Sequence, residues 1–419
     1  MKLFKALALT TTALFSIASP ALATTSSDDP EVLIKDGKIF GVARYRYEHV
    51  EQDGFTNDAD ASTVRTNLGF KTGVYKNFQG LVEAQIVQNI GNEDFNSTTN
   101  GKTTFPVVAD PDVAEINELW LSWSGLPETT VKVGRQKMNI DNLRFIGTVD
   151  WRQNDQTFDA VQITNSSIEN LDLLYSYVAN VNRIQGGDHP LGDLDSEIHI
   201  ANVSYKFADW LKLTGYGYWL DFDEAAGLSN KTYGLRATGS VPINADWTFF
   251  YEAEGAKQDD HGNNTANYDE SYYHISPGIK GLGFTLQAGY EKLGGNGTNS
   301  FATPLATLHK FNGWADAFLA TPAAGLEDAY ISASYQFSGT NSLLDGTKFT
   351  AVYHDYDSDA SGTGDFGDEL DLSIGKSFTL PDAGQPFKKV NVLLKYADYD
   401  GDSGIADREK IWVQIAVPF

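Results

Sequence analysis

The chain has no cysteine, which excludes a disulfide framework and any metal site built on thiolates. Past its first two dozen residues it also lacks an apolar run approaching the ~20 residues that a membrane-spanning helix needs. Enzyme motifs are missing too. His49, His189, His199, His261, His274, His309 and His354 are scattered, with no HExxH pair and no GxSxG elbow. No catalytic residue and no cofactor is therefore expected. Basic residues are few, 31 against 56 acidic ones, for a net charge of −25. That balance excludes nucleic acid as a partner held by general electrostatics.

What is present begins with Lys2 and Lys5, an apolar stretch from Ala6 to Ile17, and Ala21-Leu22-Ala23. A basic start, a short apolar run and a small-x-small site predict a secretory signal cleaved after Ala23. Residues 1–23 are then the signal and 24–419 a single domain.

From Lys38 onward, segments of about 10 to 14 residues alternate apolar and polar positions. Ile39, Gly41, Ala43, Tyr45 and Tyr47 share one face, opposite Arg44, Arg46 and Glu48. The pattern recurs in Leu211, Leu213, Gly215, Gly217 and Trp219, and again in Ala329, Ile331, Ala333, Tyr335 and Phe337. Period-two alternation of this length predicts strands with one wet face. About eighteen such strands fit, from 38–50 to 408–419.

The connections carry more information than the strands. The first, third and every further odd one is long and polar, among them 51–61, 91–113, 140–155 and 293–325. The even ones are tight, such as Asn77–Gln79 and Gly125–Pro127. Long loops at one end and short turns at the other predict an all-β, transmembrane, antiparallel up-and-down β-barrel. A closed barrel leaves no unpaired edge, and at about eighteen strands it encloses an aqueous channel. Tyr175, Tyr177, Tyr205, Tyr216, Tyr218, Trp219, Tyr233, Tyr251 and Tyr290 are expected to form interfacial girdles. The last strand alternates Ile411, Val413, Ile415, Val417 and Phe419. It resembles the C-terminal signal of Gram-negative outer-membrane proteins, which is read by the barrel-assembly machinery. The expected location is the outer membrane, with outer-membrane lipid and lipopolysaccharide as surroundings.

Strand phase assigns Arg44, Arg46, Arg65, Lys71, Lys132, Arg236, Lys348, Lys389 and Lys395 to the lumen. Glu48, Glu83, Glu118, Glu252, Glu254, Glu291, Glu369 and Asp371 face the same way. Charged walls of this kind select permeants. The acidic runs Asp355-x-Asp357-x-Asp359 and Asp398-x-Asp400-x-Asp402 have calcium-like spacing but no glutamate in the twelfth position. They read as solvated loops, bridged loosely by divalent cations to lipopolysaccharide phosphates, and no metal site is expected.

The alternation breaks at Gly134–Ala160. In this stretch Gly134-Arg135-Gln136, Arg144 with Gly147, Trp151-Arg152 and Phe158-Asp159 resemble the central motif of the alginate-export family of outer-membrane porins. That resemblance implies a barrel of about eighteen strands. It also implies an arginine-lined constriction with Arg135, Arg144 and Arg152 as members. Arg44, Arg46 and Arg65 join them by strand phase, and Asp141 and Trp151 complete the set expected to meet the pore or its solute. The function expected is facilitated diffusion of a hydrophilic solute, with an anionic saccharide such as a polyuronate as the candidate. The alternatives are a nonspecific porin and an adhesion barrel with no open channel. One local point stays open. Arg135 shares the phase of Val131 and Val133, so either a bulge at Gly134 turns it inward, or Arg135 and Asp159 lie above the hydrocarbon.

Overall fold

The computed structural model describes residues 26–339, 343–360, 364–380 and 387–419. The expected signal segment, 1–23, lies outside them. The described chain is one sheet of eighteen antiparallel strands. Strands β1 (Lys38–Gln52), β2 (Ala59–Lys71), β3 (Phe78–Asn89), β4 (Val113–Leu126), β5 (Thr129–Gln136) and β6 (Thr157–Ile168) come first. They are followed by β7 (Leu171–Asn182), β8 (Asp193–Ala208), β9 (Leu211–Leu220), β10 (Asn230–Pro242), β11 (Trp247–Asp260) and β12 (Asp269–Gly281). Strands β13 (Phe284–Leu293), β14 (Leu326–Gln336), β15 (Lys348–Asp357), β16 (Asp365–Thr379), β17 (Lys389–Gly401) and β18 (Arg408–Pro418) complete the wall. Each pairs with its neighbours in sequence. β1 closes the barrel on β18, in a register that runs from Val42↔Pro418 to Gln52↔Arg408.

The alternation of residue types produces the two faces. Outward positions carry exposed apolar side chains, such as Leu235 at 56 % and Ile331 at 61 %. Inward positions carry polar groups, and Glu48, Gln85 and Asn117 among them are fully buried. An apolar exterior around a polar interior inverts the usual soluble arrangement. It is stable only where hydrocarbon replaces water outside. Rings of outward aromatics border the belt, with Tyr177, Tyr233 and Tyr273 toward the long-loop end and Phe207, Trp210 and Phe284 toward the short-turn end.

Two of the expected girdle residues are elsewhere. Tyr216 and Tyr218 share the inward phase of β9 and are buried, stacked on each other at 4.9 Å. Their rings belong to an apolar core inside the barrel, which a wet lumen would not contain. That core is built by two long connections, loop 137–156 and loop 294–325, which leave the wall and enter the lumen.

Candidate functional site

Loop 137–156 is the stretch in which the alternation fails, and it packs inside the barrel. Phe145 sits among Tyr216, Tyr218, Tyr272 and Phe301, with ring centroids 5.3–6.1 Å away. The second loop is joined to the first along its length. Ile146 and Leu305 form a parallel bridge, Gly147 N donates to Leu305 O at 2.9 Å, and Thr307 N donates to Leu143 O at 3.1 Å. Gly147 makes this approach possible: a Cβ there would lie 2.2 Å from Thr307 Oγ1. Ordering a residue costs about 1–2 kcal/mol of backbone entropy, so loops of this length hold one position only with strong anchors.

The arginines supply those anchors. Arg44 donates through Nε to Gln153 Oε1 and through Nη1 to Asp150 O, both at 2.8 Å, and also to the Arg152 carbonyl. Arg46 donates to Gln414 Oε1 at 2.7 Å and to the Trp151 carbonyl, and its guanidinium lies 4.0 Å from the Trp151 ring. Arg65 pairs with Asp155 at 2.7 Å. Arg144 reaches Glu291 at 2.9 Å and Asn312 Oδ1 at 3.0 Å. Arg152 grips Glu48 through two bonds of 3.0 and 3.2 Å, with Asp316 at 3.3 Å and Asp110 at 3.7 Å. All of these guanidinium residues are buried. Most of their contacts are charge-assisted, which makes them about twice as strong as neutral hydrogen bonds.

The electrostatics follow from burial opposed by pairing. Burial lowers the Arg152 pKa, but Glu48, Asp110 and Asp316 outweigh it and hold the group charged, with its pKa raised. Burial alone would raise Asp155, yet Arg65 and Lys137 keep its carboxyl below the usual range. Asp316 is held lower still, by Lys410 and His309. Asp141 goes the other way: burial raises its pKa, and Arg236, 3.9 Å distant, only partly offsets this. Its Oδ2 accepts from Asn202 at 2.6 Å.

Trp151 stacks on His309 at 4.2 Å with an interplanar angle of 6°, and Trp412 closes edge-on at 5.8 Å. Lys395 lies 4.1 Å from the Trp151 ring and 3.8 Å from that of Trp314. Its ammonium is 2.7 Å from His309 Nε2, and His309 Nδ1 is 2.8 Å from Asp316. That arrangement fits a neutral imidazole protonated on Nδ1, which donates to Asp316 and accepts from Lys395. Burial, with Lys395 beside it, lowers the His309 pKa well below the ordinary value.

Arg135 is not among these lumen residues. It keeps the outward phase of Val133 and pairs with its cross-strand neighbour Asp159 at 2.8 Å, next to Tyr177. Gly134 does take a positive φ of 121°, but β5 and β6 stay in register through it. The bulge that would have turned Arg135 inward is therefore absent from this hairpin. The DxDxD runs are also drawn apart. Asp355 and Asp400 both lie opposite Asp368 in the wall, whereas Asp359 pairs with Lys292. Among the described residues no three His, Asp or Glu side chains are placed to hold a metal ion.

Lysines of the wall differ from the arginines. Lys71, Lys132 and Lys212 share the lumen phase of β2, β5 and β9. Among the described residues none has a carboxylate within 4.0 Å. Lys132 and Lys71 flank the Trp120 ring at 5.0 and 5.9 Å. Lys212 was readable from the phase of Leu211 and Leu213. The second loop was readable from Phe301, Leu305, Phe311, Trp314 and Phe318, which are too apolar for a solvated connection.

Solved structures share this architecture across nearly the whole chain. An Acinetobacter baumannii protein, OccAB2, superposes with a TM-score of 0.72 at 17% identity, covering 93% of this chain and 99% of its own. The chain is an outer-membrane β-barrel. OpdQ of Pseudomonas aeruginosa gives the same values. OpdK of that organism, in a crystal structure with vanillate, gives a TM-score of 0.70 at 15% identity over 92% and 99% of the two chains. The profile of the Campylobacter major outer membrane protein family matches residues 1–184. No curated protein matches the chain by sequence. These likenesses support the porin reading in its general form. None of the proteins they name is described as an alginate exporter.

Proposed function

We propose that this barrel is a passive channel through which small hydrophilic solutes diffuse, and that it favours anions. The observation that carries the reading is the contrast between the two sets of cations. The loop-pinning arginines are committed to carboxylates and carbonyls, whereas Lys71, Lys132 and Lys212 face the lumen with no ion-pair partner among the described residues. Neighbouring like charges are unfavourable, and an anion passing Lys71 and Lys132 relieves that cost.

In this reading Arg44, Arg46, Arg65, Arg144 and Arg152, with Asp141 and Trp151, shape the constriction by fixing the loops. The lysines then supply the field that a solute meets. Small anions, including short uronates and aromatic carboxylates such as the vanillate of the OpdK structure, suit the channel better than a polymeric alginate. The reason is that two loops with a shared apolar core fill part of the lumen. The outer face is taken to contact lipid and lipopolysaccharide, after insertion by the barrel-assembly machinery.

Planar-bilayer recording in a salt gradient tests the proposal. The purified barrel should conduct with a reversal potential on the anion side. Lys71→Glu with Lys132→Glu should move it toward cations. A barrel that carries no current refutes the channel, and an unchanged reversal potential refutes the role of the lysines.

A further inference from the structure

Across the lumen from Lys71 and Lys132, β11 to β15 and the undersides of both inward loops enclose a cavity of about 420 Å³. Its volume lies in the range of small-molecule sites, roughly 300–1,000 Å³. The chemistry of its lining differs from that of the lysine wall. Phe311 and Trp314 come from the second loop, and Tyr330 and His274 from the strands. Cations lie against both loop rings, Arg144 at 4.7 Å and Lys310 at 5.4 Å from Phe311, and Lys395 at 3.8 Å from Trp314.

Every carboxylate in the lining is committed. Glu252 holds Arg236 at 2.6 Å and accepts from Asn142 Nδ2 at 2.6 Å. Glu291 holds Arg144 and accepts from Tyr272 and Asn312. Asp328 lies 2.9 Å from His354 Nδ1 and accepts from Asn312 at 3.0 Å. Lys310 donates to the Asn142 carbonyl at 2.7 Å. Ser332 and Thr350 show no side-chain partner among the described residues, whereas His274 is committed, with Nε2 3.0 Å from the Tyr330 hydroxyl and Nδ1 3.7 Å from Glu252.

We infer that this side cavity is a binding station for a neutral polyhydroxylated solute, one or two sugar rings in size. A charged ligand would have to enter a low-dielectric recess with no uncommitted counter-charge, which is costly. A sugar needs aromatic faces for its C–H side and neutral donors and acceptors for its hydroxyls, and this lining provides both. The inference rests on the channel reading for access to the cavity, and it adds a second solute class on a different wall.

The test uses the full barrel in planar bilayers, with maltose as the probe and gluconate and benzoate as charged comparisons. Maltose should interrupt the ion current in a saturable way. Ser332→Ala and Tyr330→Phe should each weaken half-saturation roughly three- to tenfold, the effect of losing one hydrogen bond. Lys132→Gln should leave the maltose block unchanged while altering ion selectivity. A conducting barrel that maltose does not block overturns the station and leaves the channel standing. So does a block by gluconate or benzoate with the same sensitivity to Ser332→Ala. If the barrel does not conduct, the channel reading fails instead. Maltose quenching of tryptophan fluorescence in the detergent-solubilised barrel, lost in Trp314→Phe, then decides the station by itself, and no quenching refutes it.

Discussion

Replacing Arg152 by methionine keeps most of the side-chain volume and deletes the charge on which the lumen loops converge. The three carboxylates around it are not left equal. Asp316 retains Lys410 at 2.8 Å and His309, and Asp110 retains the Gln153 amide at 2.7 Å and Arg46 at 3.8 Å. Glu48 keeps no other side-chain hydrogen bond or ion pair among the described residues, since both of its oxygens face Arg152 and its side chain is 1 % exposed. Breaking a buried pair so that one charge is orphaned costs about 3–5 kcal/mol. The barrel wall does not depend on this pair, so the cost falls on the docked loop. Its open population should rise roughly one hundred- to a few thousand-fold.

Amide hydrogen exchange read by mass spectrometry reports this directly, at the Arg152 and Gln156 amides that bond Val149 and Thr148. Single-channel current noise should rise with it. Adding Glu48→Gln removes the orphan and should restore most of the protection. Loop exchange unchanged in Arg152→Met, or no recovery in the double variant, would refute the view that charge pairing holds the loop inside.

Two further outcomes follow from the same geometry. His309 faces Lys395, Asp316 and Arg152 and has a folded pKa depressed below that of the released imidazole. As pH falls below the ordinary histidine value of about 6.5, the released loop takes up a proton that the docked one refuses. Loop docking should therefore weaken by up to about 1.4 kcal/mol per pH unit. Asp316 and Asp155, with depressed pKa values, contribute in full above the ordinary carboxylate value of about 3.9 and lose that contribution progressively as pH falls from there to their folded values. Loop opening followed from pH 7 to 5, as exchange divided by the intrinsic amide rate at each pH, should thus rise in the wild type and stay flat in His309→Gln, and equal slopes would disprove the assignment. Gly147→Val places a side chain where Thr307 Oγ1 already lies. It should cost about 1–3 kcal/mol of overpacking and separate the two loops, seen as faster exchange at Gly147 and Thr307 with unchanged strand protection.

The sequence by itself determined the barrel. Alternation has a period of two, and a shift of one residue would put every inward side chain into the lipid. Strand number, closure and the inward set of Arg44, Arg46, Glu48 and Arg65 are therefore written locally, in the residues from Lys38 to Phe419. The break in alternation also marked loop 137–156 as distinct. Partnerships are not local, and only the tertiary structure decided them. That Arg152 meets Glu48 and Asp316, or that Trp151 stacks on His309, depends on two loops, 137–156 and 294–325, far apart in sequence, entering one lumen. Arg135 shows the same limit from the other side. Its phase pointed outward and its neighbourhood pointed inward, and the unbroken register with Asp159 settled it. The arginine-rich stretch signalled a constriction in the sequence. In the structure the guanidinium groups of Arg144 and Arg152 hold the lumen loops in place, because a buried charge needs a partner.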